Sequence, residues 1–304
     1  MTDPLVEVLE RPVLDEPVLV VMLQGWIDAS AAALAAMMSL ESETKARTIA
    51  RFDRDTFIDY RARRPVMELR EGLSSRLIWP DIELKAGKDA TGRDLLLLSG
   101  HEPDASWGRF SDSVSTLGLE LGTTMMVGLG AYPFAAPHSR PPRLSCTSPS
   151  AELRRNGTVV SNSVDVPAGV EAVLEHAFHA RGAPAIGIWA QVPHYVAGMS
   201  YPAASAALIT GLCDLVGLSV DTASLRSEAL LQRTRLDELV AGNDEHRSMV
   251  RQLEQLYDAQ EASASAEQGA AGLGDSAPTI DPNSLPSGDE LAAELERFLR
   301  DQGE

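Results

Sequence analysis

The sequence predicts an α/β protein of three layers, with helices on both faces of a mostly parallel central sheet and a helical hairpin at its C-terminal end. Three observations lead there. Short, continuous apolar runs occur at Val18–Leu23, Asp94–Ser99, Thr123–Leu129 and from Ala185 onward. Their length and lack of alternation are those of strands buried on both faces. Helical stripes separate the runs; in the clearest, Trp107, Phe110, Val114, Leu117 and Leu121 recur at steps of three and four, as on a helix lying against a sheet. Apolar runs also end in loops of Gly, Pro, His and charged residues, the layout in which α/β proteins hold ligands beyond strand carboxyl ends.

In chain order, Val18–Leu23 is a strand and Gln24–Asp28 a loop. Asp28 is placed to cap a helix over Ala29–Leu40, because its carboxylate can accept from open backbone N–H groups. Thr48–Phe52 reads as a strand. Arg51, Arg54, Arg61, Arg63 and Arg64 follow, either balanced by Asp53, Asp55, Asp59 and Glu68 on a solvated surface or forming a patch for an anion or a docking partner. Val66–Ser99 is strand-rich: Arg76–Leu84 alternates imperfectly, Gly87–Gly92 reads as a turn, and Leu95–Leu98 form the apolar centre of a strand. A helix opens at Pro103–Ala105 and stops at Gly122. After Thr123–Leu129, the prolines at 133, 137, 141 and 142 predict a rigid loop. Gly128 and Gly130 fall short of a dinucleotide fingerprint, since GLGAYP has no third glycine and no helix directly behind it. Leu144–Ser148 is a strand, with a turn at Asn156-Gly157; Ala168–Arg181 is a helix stopped by Gly182. The strand from Ala185 leads through a loop into the helix Tyr201–Val216, ended by Gly217.

This core occupies residues 1–220. Residues 221–260 form an αα-hairpin built from Ser224–Val240 and Asp244–Tyr257, with charged faces that suit a protrusion or an oligomer contact. Residues 261–288 are an acidic linker too poor in apolar side chains to order itself. Residues 289–304 form a short amphipathic helix: Ser287 and Glu290 make a capping box, and Leu291, Leu295, Phe298 and Leu299 share one face.

Charge narrows the function classes. The chain carries a formal net charge of −18, and residues 261–304 alone hold 10 acidic against 2 basic side chains. That balance argues against nucleic acid as a partner. Cys146 and Cys213 have no CxxC or zinc spacing and are expected to be reduced, buried thiols. His176 and His179 lie at chelating spacing without a third ligand, so neither a metal nor a cofactor is expected. The longest apolar run, Ala29–Met38, is too short to span a membrane. The N-terminus has neither the basic nor the apolar region of a signal peptide, and a cytoplasmic location is expected.

The strand-end loops supply the candidate binding residues. Trp26 and Asp28 follow the first apolar run, His138 and Arg140 follow the third, and His194 and Tyr195 follow the strand from Ala185. Parallel strands would gather all six at one sheet edge, and His101, after Leu95–Leu98, could join them. No P-loop, HExxH or GxSxG is present.

The same segments carry a resemblance. GWIDAS at 25–30, GLGAYPFAAPHSRP at 128–141 and AIGIWAQVPHYVAGMSYPAAS at 185–205 look like the signature segments of the proteasome assembly chaperone 2-like family, over about Pro17 to Tyr257. The resemblance implies a fold like that of purine nucleoside phosphorylases without a clearly kept enzyme site. It further implies a non-catalytic assembly factor that binds a protein client and forms a homo-oligomer, a trimer. Family chaperones that dock on proteasome rings can end in a hydrophobic-Tyr-any tripeptide; this sequence ends Gln302-Gly303-Glu304, so that docking route is expected to be absent. The competing reading is a nucleoside phosphorylase- or hydrolase-like enzyme, or a small-molecule binder, using the strand-end cleft. Arg140 would then meet an anion, His138 a sugar, and Asp28 would serve as the acid.

Overall fold

In the computed structural model, residues 3–25, 27–150, 153 and 165–270 are described. The strands are β1 (Val6–Val8), β2 (Val18–Gln24), β3 (Arg47–Phe52), β4 (Val66–Arg70), β5 (Leu73–Ile78), β6 (Ile82–Lys88), β7 (Asp94–His101), β8 (Met125–Phe134), β9 (Leu144–Thr147) and β10 (Ala185–Pro193). The helices are α1 (Ala32–Glu43), α2 (Arg54–Phe57), α3 (Trp107–Glu120), α4 (Val170–Ala180), α5 (Pro202–Val216), α6 (Ala223–Ala241) and α7 (Asp244–Ala270). Eight strands form one sheet in the order β1-β3-β6-β7-β2-β8-β10-β9.

The four central strands, β7-β2-β8-β10, are parallel. These are the continuous apolar runs of the sequence, and both of their faces are covered. Val18, Val20 and Met22 of β2 point into one core with α1 and α5, while Leu19 and Val21 point into the other with α3 and α4. Each buried Val or Leu contributes roughly 1.5–3 kcal/mol of transfer free energy. The three-layer α/β expectation therefore holds. The flanking strands pair antiparallel, β1-β3-β6-β7 on one side and β9 against β10 on the other.

The helices pack for different reasons on the two faces. On α1, Ala32, Ala33 and Ala36 are buried, and small side chains let a helix approach a sheet closely. On α3, Phe110, Val114 and Leu117 are the buried stripe, with Phe110 edge-on to both Phe52 and Phe57.

Three expectations need correction. Arg76–Leu84 is not one strand: Pro80, which has no N–H to donate, separates β5 from β6. Gly87 is not in a turn but in β6, paired with Leu95. The apolar run from Thr123 does not stop at Leu129; β8 continues through Pro133 to Phe134. Pairing of β8 with β2 ends at Gly128, and past a single bridge from Asp28 to Ala131 no strand among the described residues pairs with that edge, so a proline is tolerated there.

The chain divides into two units, Met1–Tyr257 and Asp258–Glu304; the described part of the second is the C-terminal stretch of α7. Within the first unit the helical pair is no free protrusion. Leu236 of α6 and Val250 and Leu253 of α7 are buried. Tyr257 donates its hydroxyl to the Pro141 carbonyl at 3.1 Å and lies under the Arg143 guanidinium, 3.8 Å from ring centre. Helix α7 runs to Ala270, past the expected end at residue 260. Residues 271–304, holding most of the expected linker and the whole C-terminal helix, lie outside the described residues, as does the Asn156-Gly157 turn. Among the described residues no helix is long and apolar enough to cross a membrane.

Candidate functional site

The loops leaving β2, β8 and β10 meet at the carboxyl edge of the sheet. After β2 the chain enters a short 3-10 turn, Ala29–Ala31. Asp28 reaches past this turn to the start of α1. One carboxylate oxygen accepts from Ala33 N–H at 2.8 Å and the other from Leu34 N–H at 3.0 Å. Burial raises its pKa, and the backbone donors of Ala33, Leu34 and Ala32 partly offset that. Asp28 thus caps α1, the structural role expected of it, and both its oxygens are occupied.

Ser30 and Ala31 sit in left-handed backbone conformations, with φ of 63° and 50°, at a cost of about 1–2 kcal/mol each. The loop after β10 holds them there: Ser30 N–H donates to Ala197 O at 2.8 Å, and its hydroxyl donates to Val196 O at 2.9 Å. A recess of about 390 Å³ lies between the start of α1 and this loop. Its lining is mainly apolar and includes Leu34, Met38, Ala197 and Met199, with Asp28 and Ser30 at its inner end.

His138 and Tyr195 meet as one group. The Tyr195 hydroxyl accepts the His138 backbone N–H at 2.7 Å and lies 2.7 Å from His138 Nδ1. Asp237 Oδ1 of α6, 3.2 Å from Nε2, is an acceptor, which favours the ring proton on Nε2. In that neutral tautomer Nδ1 accepts the Tyr195 hydroxyl proton. His138 is buried. Tyr195 is pushed up to about 12, first by burial and then by the charges of Glu254 and Asp237, against the opposing His138 N–H. His194 is exposed, its ring edge-on to Tyr195 with centroids 5.3 Å apart. Arg140 pairs with Glu254 of α7 at 3.3 Å, and Ser139 donates to the same carboxylate.

Of the six residues expected at this edge, the structure joins His138 to Tyr195 and sets His194 against Tyr195, with Arg140 on the same loop as His138. Asp28 belongs to the α1 end. Trp26 lies outside the described residues. Asp237 and Glu254 were not foreseen: Asp237 is 99 positions from His138, and no local spacing connects them.

A second cluster, also unforeseen, lies on the opposite face of β8 and β10. Glu171 and Glu175 of α4 point at the glycines of these strands. A methyl group at Gly128 would overlap the Glu171 carboxylate, and one at Gly187 would come within 2.7 Å of Glu175 Oε1. At Gly130 it would strike the Trp189 ring. These glycines admit side chains from α4 and β10; they do not form a phosphate cradle. Burial drives the Glu171 pKa well above the ordinary carboxylate range, and Glu175, Asp28 and Glu102 add to it. Its Oε1 has no hydrogen-bond partner among the described residues. Burial raises Glu175 to about 7, against the lowering effect of the Thr147 hydroxyl at 3.4 Å. One signal was available: Glu171, Leu174, Glu175 and Phe178 share a single helical face. Among the described residues no group of three or more His, Cys, Asp or Glu side chains is placed to hold a metal.

Comparisons with known proteins extend this picture. A crystal structure of a Corynebacterium glutamicum protein of unknown function is similar at 30% identity and a TM-score of 0.80, over 85% of this chain and 98% of that one. The Mycobacterium tuberculosis proteasome-assembly chaperone homologue Rv2125 is similar at 30% identity and a TM-score of 0.72, over 77% of this chain and 99% of its own. Pyrococcus furiosus PbaB, an archaeal proteasome activator, shares the fold at 18% identity and a TM-score of 0.58, over 77% of this chain and 97% of its own. No curated protein matches the sequence. The PAC2 family model matches residues 22–240, from the end of β2 through the rest of the central sheet and nearly all of α6, with His138, Tyr195, Asp237, Glu171 and Glu175 inside it, and the chain belongs to the PAC2 family.

Proposed function

We propose that this protein is a non-catalytic, protein-binding assembly factor, cytoplasmic and working as a homo-oligomer, a trimer, with a protein complex as its client. One observation carries the reading: the polar groups at the strand ends are turned toward each other. His138 is held between Tyr195 and Asp237, Asp28 caps α1, and Arg140 faces Glu254. A general acid or base needs a proton route to substrate, and His138 is buried with both ring nitrogens engaged. The similarity to the M. tuberculosis proteasome-assembly chaperone homologue supports proteasome core subunits as the client class.

The test mixes the purified protein with proteasome core subunits of its own cell and follows ring assembly on native gels. A changed assembly rate with a shifted subcomplex band is expected. Absence of both, with turnover of a nucleoside by the same preparation, would overturn the reading.

A second reading, a small-molecule binder, is favoured by one feature: the buried Glu171 Oε1 without a hydrogen-bond partner among the described residues. A carboxyl held neutral can donate a hydrogen bond to a ligand atom. Calorimetric titration with a nucleoside and phosphate panel tests it. Binding that Glu171→Gln alters supports it, and no heat from any panel member removes it.

A further inference from the structure

Strand β1 is one outer edge of the eight-stranded sheet. Its ladder to β3 uses every second residue. Leu5 O accepts from Asp53 N–H at 2.9 Å, and Leu9 N–H donates to Ile49 O at 2.8 Å. In an antiparallel ladder the residues in alternate positions turn their backbone groups the other way, so Val6 and Val8 face the open edge. Val6 N–H is spent on Asp3 O. Val6 C=O and both backbone groups of Val8 have no partner among the described residues. Such an edge is a template for another strand.

A groove runs beside it. Val6 packs against the core that contains Phe110 and Leu117, and Val8, two residues on, shares its face. With Leu9, Thr116 and Leu117 they line a space of about 670 Å³ between the strand and α3. Val8 and Leu9 are 36% and 46% exposed. Two contacts fix the spacing of the walls: Arg11 to Glu120 at 3.0 Å, and Ser113 Oγ to Asp3 Oδ2 at 2.5 Å. Charge then selects the occupant. Arg11 is spent on Glu120 and Arg47 on Glu10, whereas Asp3 and Glu7 make no ion pair among the described residues. The edge is left acidic. The tail of this chain, with 10 acidic against 2 basic residues over 261–304, has the wrong sign. A second copy fits no better. The register that pairs all three β1 residues of two antiparallel edges sets Glu7 on Glu7, and like charges directly opposite are destabilising.

We infer that the β1 edge takes up an extended segment of a protein partner as a further strand of the sheet. The segment carries apolar side chains opposite Val6 and Val8, seated in the groove beside α3, and a basic side chain opposite Glu7. In strand addition the main-chain bonds supply affinity, and the pockets for alternate side chains supply the choice of sequence. The inference rests on the protein-binding reading above and names the surface that holds the client.

Fluorescence anisotropy of labelled peptides with the full chain tests it. The probe is the capped peptide KVKVKV; EVEVEV reverses its charge, and KKKVVV keeps the charge without the alternation. The probe should bind, and both controls should bind about 10-fold more weakly or worse. Val8→Pro removes an N–H that the β3 ladder does not use, and proline is tolerated on such an edge. It should weaken the probe by about 10-fold or more, as should Glu7→Lys. Both positions are exposed, so circular dichroism and melting should not change. Hydrogen exchange on wild type gives a second measurement: the probe should slow exchange of the Val8 amide. Failure of the probe to bind at about 1 mM, or equal binding by Val8→Pro, overturns the inference; a ring-assembly effect that persists in wild type then leaves the assembly-factor reading intact. Probe binding that Val8→Pro weakens, with no effect of wild type on ring assembly, supports the edge site and removes only the proteasome client. Protection of the Val8 amide that grows with protein concentration in the absence of peptide would assign the edge to a second copy and also overturn the inference.

Discussion

The two faces of the carboxyl edge treat buried polar groups in opposite ways. On the α1–α5 side, His138, Tyr195 and Asp237 form a closed chain in which the protein supplies a partner for each ring nitrogen. On the α3–α4 side, Glu171 and Glu175 are pressed against bare glycine backbone, and the Glu171 Oε1 has no partner among the described residues. The first arrangement stabilises a charge distribution; the second is tolerable only if the carboxyls keep their protons. Burial alone therefore does not decide the state of a polar group. The surrounding donors do.

The sharpest way to break the comparison is Gly128→Ala. The added methyl meets the Glu171 carboxylate, and a loss of about 3 kcal/mol is expected from overpacking, read as a lower midpoint in urea. Adding Glu171→Ala should return part of that loss, since it clears the overlapped group. Additive losses would show that the clash is not the cause.

Next in size is Glu175→Gln, and its effect depends on pH. The folded carboxyl titrates at about 7, against a usual 4.5. Between those values the folded state holds the extra proton. The stability from this proton is complete below 4.5 and is lost as pH rises through 7. The variant cannot lose it, so at pH 8 it should exceed wild type by up to about 3 kcal/mol. Below pH 4.5 the gap should close. Thermal melts from pH 4.5 to 8.5 check this, and a gap of constant size would refute it.

Tyr195→Phe probes the closed side. It strands the His138 N–H and Nδ1, and a loss of about 1–2 kcal/mol follows from the unsatisfied groups. Its pH dependence should be weaker than that of Glu175→Gln, which chemical denaturation at pH 6 and pH 8 measures. The smallest expected effect is Ala31→Gly. Relief of the left-handed alanine should stabilise the protein by up to about 1 kcal/mol, read as a small rise in Tm. A fall would mean that the tie through Ser30 already absorbs the strain.

The two sides also differ in how far the sequence discloses them. The strands β2, β7, β8 and β10 were legible because burial on both faces demands unbroken apolar runs. The α3 stripe was legible for the same kind of reason, and so was Asp28, whose capping role is local. His138 and Tyr195 could be assigned to strand ends. Their hydrogen bond could not, because it depends on loops brought together by strand order. Glu171 and Glu175 were overlooked as charged members of an otherwise apolar helix face. The β4–β5 hairpin was hidden differently: its alternation is broken by a register shift after Glu68, and most of its apolar side chains are exposed among the described residues.

The strand order has a consequence for how the protein is made. Strand β2 lies at the centre of the sheet, yet Val18 pairs with Leu95 on one side and Met125 on the other. A ribosome adding about 5–20 residues per second needs ~5–20 s to reach the second of these partners. Throughout that interval a strand built to be paired on both edges keeps at least one edge open. Biogenesis of this protein should therefore depend on the cell's holding chaperones, and a ribosome paused before residue 125 should yield a chain that aggregates when released.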